Sequence, residues 1–279
     1  MRRVQDQLSS AGIHLVLLAW TLLALFPLTL IVINSFKTRK AIFGDPLGLP
    51  TGKALTLSGY ESVMTNSDFP MFFSNSLIVT SVSLFLILLF GAMAAHAVSE
   101  YEFRGNSIIS LYLIVGIMVP IRLGTVALLN LIVDLGLANT LTALILVYTA
   151  QGLPIAIFIF SEFLRSVSRE IKDSARIDGL SEYRIFFEVV IPLVRPVIAT
   201  VAVFSMIPIW NDLWFPLILS PGEETRTVTL GVQQFIGQYS VKWGSVLAAL
   251  SVAILPVLIM YVIFSRQLIR GITSGAVKG

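Results

Sequence analysis

Two groups of polar residues in this chain have the types and spacing needed to recognise other molecules. One is the stretch 173–196, DSARIDGLSEYRIFFEVVIPLVRP, which lies between long apolar runs and mixes charged with apolar residues. The other consists of Arg122, Trp210, Asn211, Asp212 and Trp214. Aromatic faces beside amide and carboxylate groups suit a sugar, whose C–H faces stack and whose hydroxyls need hydrogen-bond partners. An arginine can donate to the same hydroxyls or bind an anionic sugar.

The residue inventory excludes several kinds of chemistry. The chain has no cysteine and two histidines far apart, which argues against disulfides, a thiolate nucleophile and a histidine metal site. It contains no phosphate loop of the form GxxxxGK[ST], so ATP, if it drives this protein, is bound by another chain. No nucleophile and base converge in a recognisable pattern. We therefore predict a chain that is not an enzyme and has no cofactor or metal of its own.

The composition indicates a membrane protein. Of the 279 residues 56% are hydrophobic and 13% charged, with a mean hydropathy of +0.88, which would give a soluble domain far too much apolar surface. A helix crosses the ~30 Å hydrocarbon core with about 20 residues. Six apolar runs are long enough: 14–35, 71–98, 107–129, 141–163, 197–219 and 245–264. We predict an all-α polytopic membrane protein with six transmembrane helices, the first of them retained and not a cleaved signal peptide.

The distribution of basic residues predicts the orientation. With the N-terminus inside, twelve of the 19 Lys and Arg residues flank the spans on the inner side and six on the outer side, while Arg122 lies within a span. Basic residues are enriched on the cytoplasmic side of membrane proteins. We therefore expect both termini, the region 165–196 and the tail 265–279 to be cytoplasmic, and the loop 220–244 to be outside.

The stretch 173–196 predicts two short helices. Asp173 or Ser174 can cap the first, Gly179 can end it because glycine adopts a positive φ cheaply, and Ser181 can begin the second. The expected result is an elbow at Gly179. An amphipathic helix lying on the bilayer is the alternative, favoured by the basic residues of the region.

The same stretch resembles the EAA signature of ABC-importer permease subunits. The matching residues are Asp173-Ser174-Ala175, Asp178-Gly179, Phe186 and Val189-x-Ile191-Pro192. The closing GITSGAVKG and the segment TLGVQQF are similar to MalG-type second permeases of carbohydrate importers. The resemblance implies the type I ABC importer transmembrane-domain fold over residues 1–279 and, as function, half of the translocation path of a sugar importer.

The resemblance also implies how the chain couples to its ATPase. The coupling residues would be Asp173, Ser174, Ala175, Asp178, Gly179, Phe186 and Pro192. Asp173 would face a basic group on the ATPase, Ala175 would be a position of close contact, and Pro192 would lead into span five. The family's glutamate and first alanine are replaced here by Asp173 and Ser174, so an ion pair at that point would have one methylene less reach.

Several partners follow from the resemblance. They are a second, MalF-like permease, an ATPase subunit dimer that binds ATP and Mg, an extracytoplasmic solute-binding protein, a carbohydrate substrate and membrane lipid, with no nucleic acid. The C-terminal tail would reach toward the ATPase dimer. The solute-binding protein would contact Thr229, Gly231, Gln233, Gln234 and Tyr239. The implied location is the bacterial inner membrane, with multiple spans.

The polar residues within the spans have alternative readings. Arg122 can extend to the outer interface or pair with Asp212, and the aromatic residues near Asp212 can form an interfacial belt. In a rival function, an ion-coupled secondary transporter, Asp212 would carry a proton or sodium ion. His96 is predicted to be a packing residue with satisfied hydrogen bonds, and Glu162 an interface charge.

Overall fold

The computed structural model describes residues 2–65, 67–237 and 241–276, with side chains described from residue 12 to residue 264 in these ranges. The described residues are helical apart from turns, loops and two isolated β-bridges, Lys37 with Leu55 and Ile236 with Val241. Within these ranges, five helices are long and apolar enough to cross a membrane, and a bent pair makes a sixth if it is counted as one span. The predicted helical membrane architecture is confirmed.

The chain divides into two units, the first of which comprises Met1–Pro70 and Gly231–Leu255. Its helices are α1 (Arg2–Ser35), α2 (Arg39–Gly44), α3 (Ser58–Met64) and the beginning of a long helix that starts at Trp243. Phe43 packs edge-on against Trp243 with 5.8 Å between the ring centroids. A Cβ on Gly59 would lie 2.5 Å from the carbonyl oxygen of Gly244, so this contact requires glycine. From Gly12 onward α1 exposes most of its apolar side chains, as a helix facing lipid or another subunit would.

The second unit comprises Met71–Leu230 and Pro256–Gly279. Its main helices are α4 (Phe69–Glu100), α5 (Asn106–Met118), α6 (Thr125–Asp134) and α7 (Leu141–Arg165). Gly91 and Gly152 let α4 and α7 approach closely, because a Cβ there would lie 2.9 Å from the Ala156 Cβ and 2.5 Å from the Ile87 Cδ1, respectively. Small residues at such contacts are typical of helices packed in a membrane.

Span three is not the continuous helix predicted over 107–129. It breaks between Met118 and Ile121, where α5 and the following helical segment meet at 86°. Pro120 has no N–H to donate, and Val119 before it is extended with ψ 119°, the conformation that a following proline favours. The bend places Arg122 in a short 3₁₀ turn, Ile121–Gly124, instead of inside a helix.

The polar region and span five form one continuous helical stretch, Glu182–Asn211. The stretch consists of α9 (Glu182–Arg184), a π-helical turn (Ile185–Val190) and α10 (Ile191–Asn211). A separate helix, α8 (Arg169–Ile177), lies upstream of the elbow. The π turn ends two residues before Pro192, which cannot donate a helical hydrogen bond. The prediction of two short helices is therefore wrong for the second.

The outer end of span five also differs from its prediction. The helix stops at Asn211, Asp212 is extended, and a new helix, α11 (Trp214–Leu219), follows. The loop beyond it contains α12 (Val228–Val232), and α13 (Trp243–Ala276) continues through most of the tail, which composition alone would leave frayed.

Candidate functional site

Helix α8 begins earlier than the sequence predicted. Its N-cap is Ser168, whose Oγ accepts a hydrogen bond from the Glu170 N–H at 3.3 Å, so Asp173 and Ser174 lie inside the helix and do not cap it. Gly179 ends the helix with φ +80°, the left-handed conformation predicted for it. Ser181 then stands at the N-cap position of α9, as expected.

A cluster of charged side chains fixes α8 to the end of α4. The carboxylate of Glu100 has only 5% of its side chain exposed, and it accepts hydrogen bonds from Lys172 and, at 2.8 Å, from Arg176 Nη2. Arg176 also donates to Asp173 Oδ1 at 2.7 Å and to Glu182 Oε1 at 2.9 Å. These bonds, those to Glu182 and Glu100 first, raise the pKa of Arg176 further above its ordinary value, so its charge is permanent. The cluster joins α4, α8 and α9 across 82 residues of chain, from Glu100 to Glu182.

The predicted coupling residues divide into exposed and buried ones. Ser174, Asp178, Gly179 and Pro192 are exposed, and Asp173 is exposed although it pairs with Arg176. Ala175 and Phe186 are buried in the core of the second unit. The small side chain of Ala175 lets α8 pack against the core. A close contact of Ala175 with the ATPase stays a prediction.

His96 packs as predicted but lacks the predicted hydrogen bonds. It is 6% exposed, with the rings of Tyr101 and Phe186 at 5.8 Å and 5.6 Å between centroids. Neither ring nitrogen has a hydrogen-bond partner among the described residues. Glu162 pairs with Arg165 at 2.9 Å, as an interface charge would.

A second cluster surrounds Asp212, where span five breaks. Its carboxylate, 8% exposed, lies 3.5 Å from Arg122 Nη2 and accepts a hydrogen bond from the Tyr148 hydroxyl at 2.9 Å. The backbone N–H groups of Trp214 and Phe215 donate to its two oxygens at 3.2 Å and 3.1 Å. The Asp212 carboxylate therefore caps the first N–H groups of α11 and offsets the charge of Arg122. A carboxylate with these four partners is a poor carrier for a proton or sodium ion, so the geometry does not favour the ion-coupled alternative.

Trp210, Asn211 and Trp214, the other predicted path residues, do not line the cavity that this cluster borders. The cavity has a volume of about 150 Å³, and Arg122 and Asp212 are the two predicted path residues in its wall. Trp210 is buried and packs edge-on against Phe73 at 5.6 Å. Asn211 donates to the carbonyl of Ile207 in its own helix. Trp214 is half-exposed; its ring centroid lies 5.9 Å from the Arg122 guanidinium carbon, and its Nε1 donates to Thr125 Oγ1 at 3.1 Å.

The last outer loop is anchored at its base. Asn75 on α4 donates to the carbonyls of Glu224 and Arg226, at 2.8 Å and 2.9 Å. Thr229 Oγ1 donates to the backbone carbonyl of Asp212 at 2.6 Å, so this predicted contact residue is half-buried. Gly231 is buried, Gln233 and Gln234 are exposed, and Tyr239 lies outside the described residues.

The fold is shared with a solved ABC transporter. A bacterial ABC transporter involved in the import of the acidic polysaccharide alginate superimposes with a TM-score of 0.80 at 22% identity, covering 94% of this chain and 97% of that one. The molecule therefore has the type I fold of an ABC importer permease, as predicted.

The sequence comparison establishes the family. The family model described as "binding-protein-dependent transport system inner membrane component" matches residues 87–273, more than half of the chain, and the chain belongs to this family. It is 30% identical over 98% of its length to the diacetylchitobiose uptake system permease protein NgcG of Streptomyces coelicolor, covering 90% of that protein. It is 33% identical to the probable starch degradation products transport system permease protein AmyC of Thermoanaerobacterium thermosulfurigenes, with complete coverage of both. The chain is thus a membrane transport component and not an enzyme.

Proposed function

We propose that this chain is a permease subunit of an ATP-driven, binding-protein-dependent sugar importer and forms half of the translocation path with a second, homologous permease. Two relatives support the substrate class, because they are named for uptake of diacetylchitobiose and of starch degradation products. The family description supports a solute-binding protein outside, and the type I fold supports an ATPase dimer inside, which would hold ATP and Mg. The membrane would be the bacterial inner membrane, crossed several times.

The observation that carries the coupling proposal is the exposed elbow that joins α8 to α9. Ile177 is 86% exposed and Tyr183 79% exposed, on either side of Gly179. Two large apolar side chains at a charged, glycine-hinged turn need a partner surface, and the ATPase is the partner that the EAA resemblance implies. The ion pairs of the buried Glu100 with Lys172 and Arg176 would transmit a displacement of α8 to α4.

The individual coupling positions acquire distinct functions in this proposal. The coupling residues remain Asp173, Ser174, Ala175, Asp178, Gly179, Phe186 and Pro192. The exposed ones would face the ATPase, while Ala175 and Phe186 would hold the elbow in place from inside. Asp173 already pairs with Arg176, so a basic group on the ATPase would have to share it.

The outer partner is assigned in the same way. Gln233 and Gln234 are exposed and would contact the solute-binding protein, with Thr229 and Gly231 supporting the turn that presents them. Arg122, Asp212 and Trp214 would border the substrate path at its outer part, with Trp210 and Asn211 behind them.

Co-purification tests the proposal. The chain is expressed with its candidate second permease and ATPase, and ATP hydrolysis is measured with the solute-binding protein loaded with maltotriose or with diacetylchitobiose. We expect a stable complex whose ATPase rises with a loaded binding protein. Uptake of either sugar into liposomes by this chain alone, without ATP and abolished by collapse of the proton gradient, would instead establish a secondary transporter.

A further inference from the structure

We propose that the cavity between α7 and α10 is a binding subsite for one neutral pyranose unit of the transported saccharide, with Arg122, Gln151 and Ser205 as its hydrogen-bonding residues. The subsite rests on the proposed function, since it takes the substrate to be a saccharide. It adds residues and a charge class that the EAA resemblance does not supply.

The strongest evidence is the hydroxyl of Ser205. This residue lines the cavity and is 7% exposed, yet its Oγ has no hydrogen-bond partner in the described part of the chain. Two other serines in the spans, Ser99 and Ser251, donate to the carbonyl four residues earlier, those of Ala95 and Leu247. Buried polar side-chain atoms nearly always have a hydrogen-bond partner. A buried hydroxyl in a cavity wall with no partner in the protein therefore indicates that a ligand or a water molecule bonds to it there.

The other polar groups of the cavity wall differ in how many hydrogen-bond donors and acceptors they still have available for a ligand. The carboxylate of Asp212 is filled by Arg122, by Tyr148 and by two backbone N–H groups, and it has little left to offer a ligand. Arg122 has five N–H donors, and its side chain is 67% exposed. Gln151 is exposed in the same wall and carries both a donor and an acceptor. The free groups are therefore donors and mixed donor–acceptors, which match hydroxyls.

The charge balance selects a neutral ligand. Asp212 offsets the charge of Arg122 at 3.5 Å, so the pair presents no net charge to the cavity. A carboxylate of an acidic sugar would have to compete with Asp212 for the same guanidinium, and a cation would be repelled by Arg122. Neutral hydroxyls need only the spare N–H groups, and they leave the ion pair intact.

The remaining wall and the size fit a sugar ring. Phe204, Pro208 and Ile155 line the cavity and offer apolar surface to the C–H face of a pyranose. The volume of about 150 Å³ accommodates several water-sized groups, enough for one ring and too little for a whole oligosaccharide. Gln151 lies ten residues beyond Leu141, about 15 Å along α7, which is about half of a ~30 Å hydrocarbon core, so the cavity lies near the predicted middle of the membrane.

Cysteine protection tests the subsite directly, because this chain has no cysteine of its own. Ser205→Cys is introduced into the assembled importer, and its modification by a small water-soluble methanethiosulfonate is followed by mass spectrometry of this chain. Ser161→Cys is the matched control, since Ser161 is equally buried, also lacks a partner among the described residues, and lies outside this cavity. Maltotriose and diacetylchitobiose are the neutral probes, and trigalacturonate is the acidic one.

We expect at least one neutral saccharide to slow modification of Ser205→Cys several-fold, with no effect of trigalacturonate and no change at Ser161→Cys. Equal modification with and without both neutral saccharides would overturn the subsite. Protection by trigalacturonate alone would overturn its neutral character.

Uptake distinguishes failure of the subsite from failure of the proposed function. Ser205→Ala and Gln151→Leu should each lower the uptake rate about threefold to tenfold, the value of one hydrogen bond, while Ser161→Ala leaves it unchanged. If the unmodified complex shows no sugar-stimulated ATPase, the proposed function fails. If it shows that stimulation and the two variants still transport like the unmodified complex, the subsite alone fails.

Discussion

The two polar clusters of the second unit are both built on a buried carboxylate, and they use it in opposite ways. Glu100 holds two cationic partners, Lys172, which is buried, and Arg176, which Asp173 and Glu182 also bind. Asp212 holds one cation, Arg122, which is mostly exposed, and three uncharged donors. In the inner cluster, the one around Glu100, both the carboxylate and the cations are paired. In the outer cluster, the one around Asp212, the carboxylate is fully paired, but Arg122 keeps unused N–H donors.

This difference separates transmission of movement from binding. A buried charge network with its partners satisfied keeps one geometry, because any displacement leaves a charge unpaired in a medium of low dielectric constant. A cluster with unused donors at a cavity can exchange water for ligand hydroxyls without losing its own bonds. The inner cluster is thus suited to carry the movement of α8, and the outer one to contact a substrate.

The largest effect is expected from Glu100→Gln. The substitution leaves Lys172 and Arg176 with an amide in place of a carboxylate, and removal of one partner from a buried ion pair costs about 3–5 kcal/mol. We expect a lower thermal midpoint of the complex and loss of sugar-stimulated ATPase. Glu102→Gln is the control, because Glu102 is 90% exposed and its ion pair with Arg169 is long, at 4.0 Å. Adding Lys172→Met to Glu100→Gln should recover part of the stability.

An unchanged thermal midpoint in Glu100→Gln would contradict this view of the inner cluster. It would mean that the carboxylate does not hold α8, and the distinction between the two clusters would disappear. A lower midpoint with normal coupling would keep the structural function of Glu100 and remove it from transmission.

A smaller but more specific effect is expected from Gly179→Val. Gly179 has φ +80°, where a residue with a side chain is strained by roughly 1–2 kcal/mol, and a β-branched one by more. Gly136 is a matched control, since its φ is +69° and neither glycine has an atom within 4 Å of its would-be Cβ. Both valine variants should lose similar stability, whereas Gly179→Val alone should impair coupling of ATP hydrolysis to uptake. Equal coupling in the two variants would argue against the elbow.

The sequence predicted those features that depend on composition and local backbone chemistry. Hydropathy predicted six spans, and the described residues contain five helices long enough to cross a membrane, or six if the bent pair is counted as one. The positive φ of Gly179 was predicted because few other residues adopt that conformation. The pairing of Arg122 with Asp212 was one of the two structural alternatives for Arg122, since an arginine in apolar sequence needs a partner or water.

The features that the sequence did not predict depend on contacts distant in the chain. The pairing of Lys172 and Arg176 on α8 with Glu100, 72 and 76 residues away, is one such contact. A glutamate at the inner end of an apolar run, with Arg104 as the one basic residue close to it in the sequence, was the available signal for this cluster. The break at Asp212 coincides with the polar pair Asn211-Asp212, but these two residues stand between long apolar segments, so hydropathy averaged over a span did not reveal it.

At the proposed substrate site, Ser205 is another residue whose importance the sequence could not reveal. In the sequence it is one serine among several in apolar runs, equivalent to Ser76 or Ser83. Ser76 accepts a hydrogen bond from the Val228 N–H, and Ser83 donates to the carbonyl of Ile145. The placement of α10 beside α7 puts Ser205, whose hydroxyl has no partner among the described residues, in the wall of the cavity, whereas Ser161, which also lacks one, lies outside that cavity.

The smallest change in stability is expected at the outer cluster, from Arg122→Gln. The guanidinium is 67% exposed, and an exposed ion pair contributes about 0–1 kcal/mol, so the thermal midpoint should shift little. Uptake of a neutral saccharide should nevertheless fall, because the variant has fewer donors for its hydroxyls. Asp212→Asn should instead lower the stability of the complex by about 1–3 kcal/mol, because an amide can no longer accept hydrogen bonds from all four partners. If Arg122→Gln instead destabilised the complex as much as Glu100→Gln does, both clusters would be structural, and the outer one would lose its claim to bind substrate.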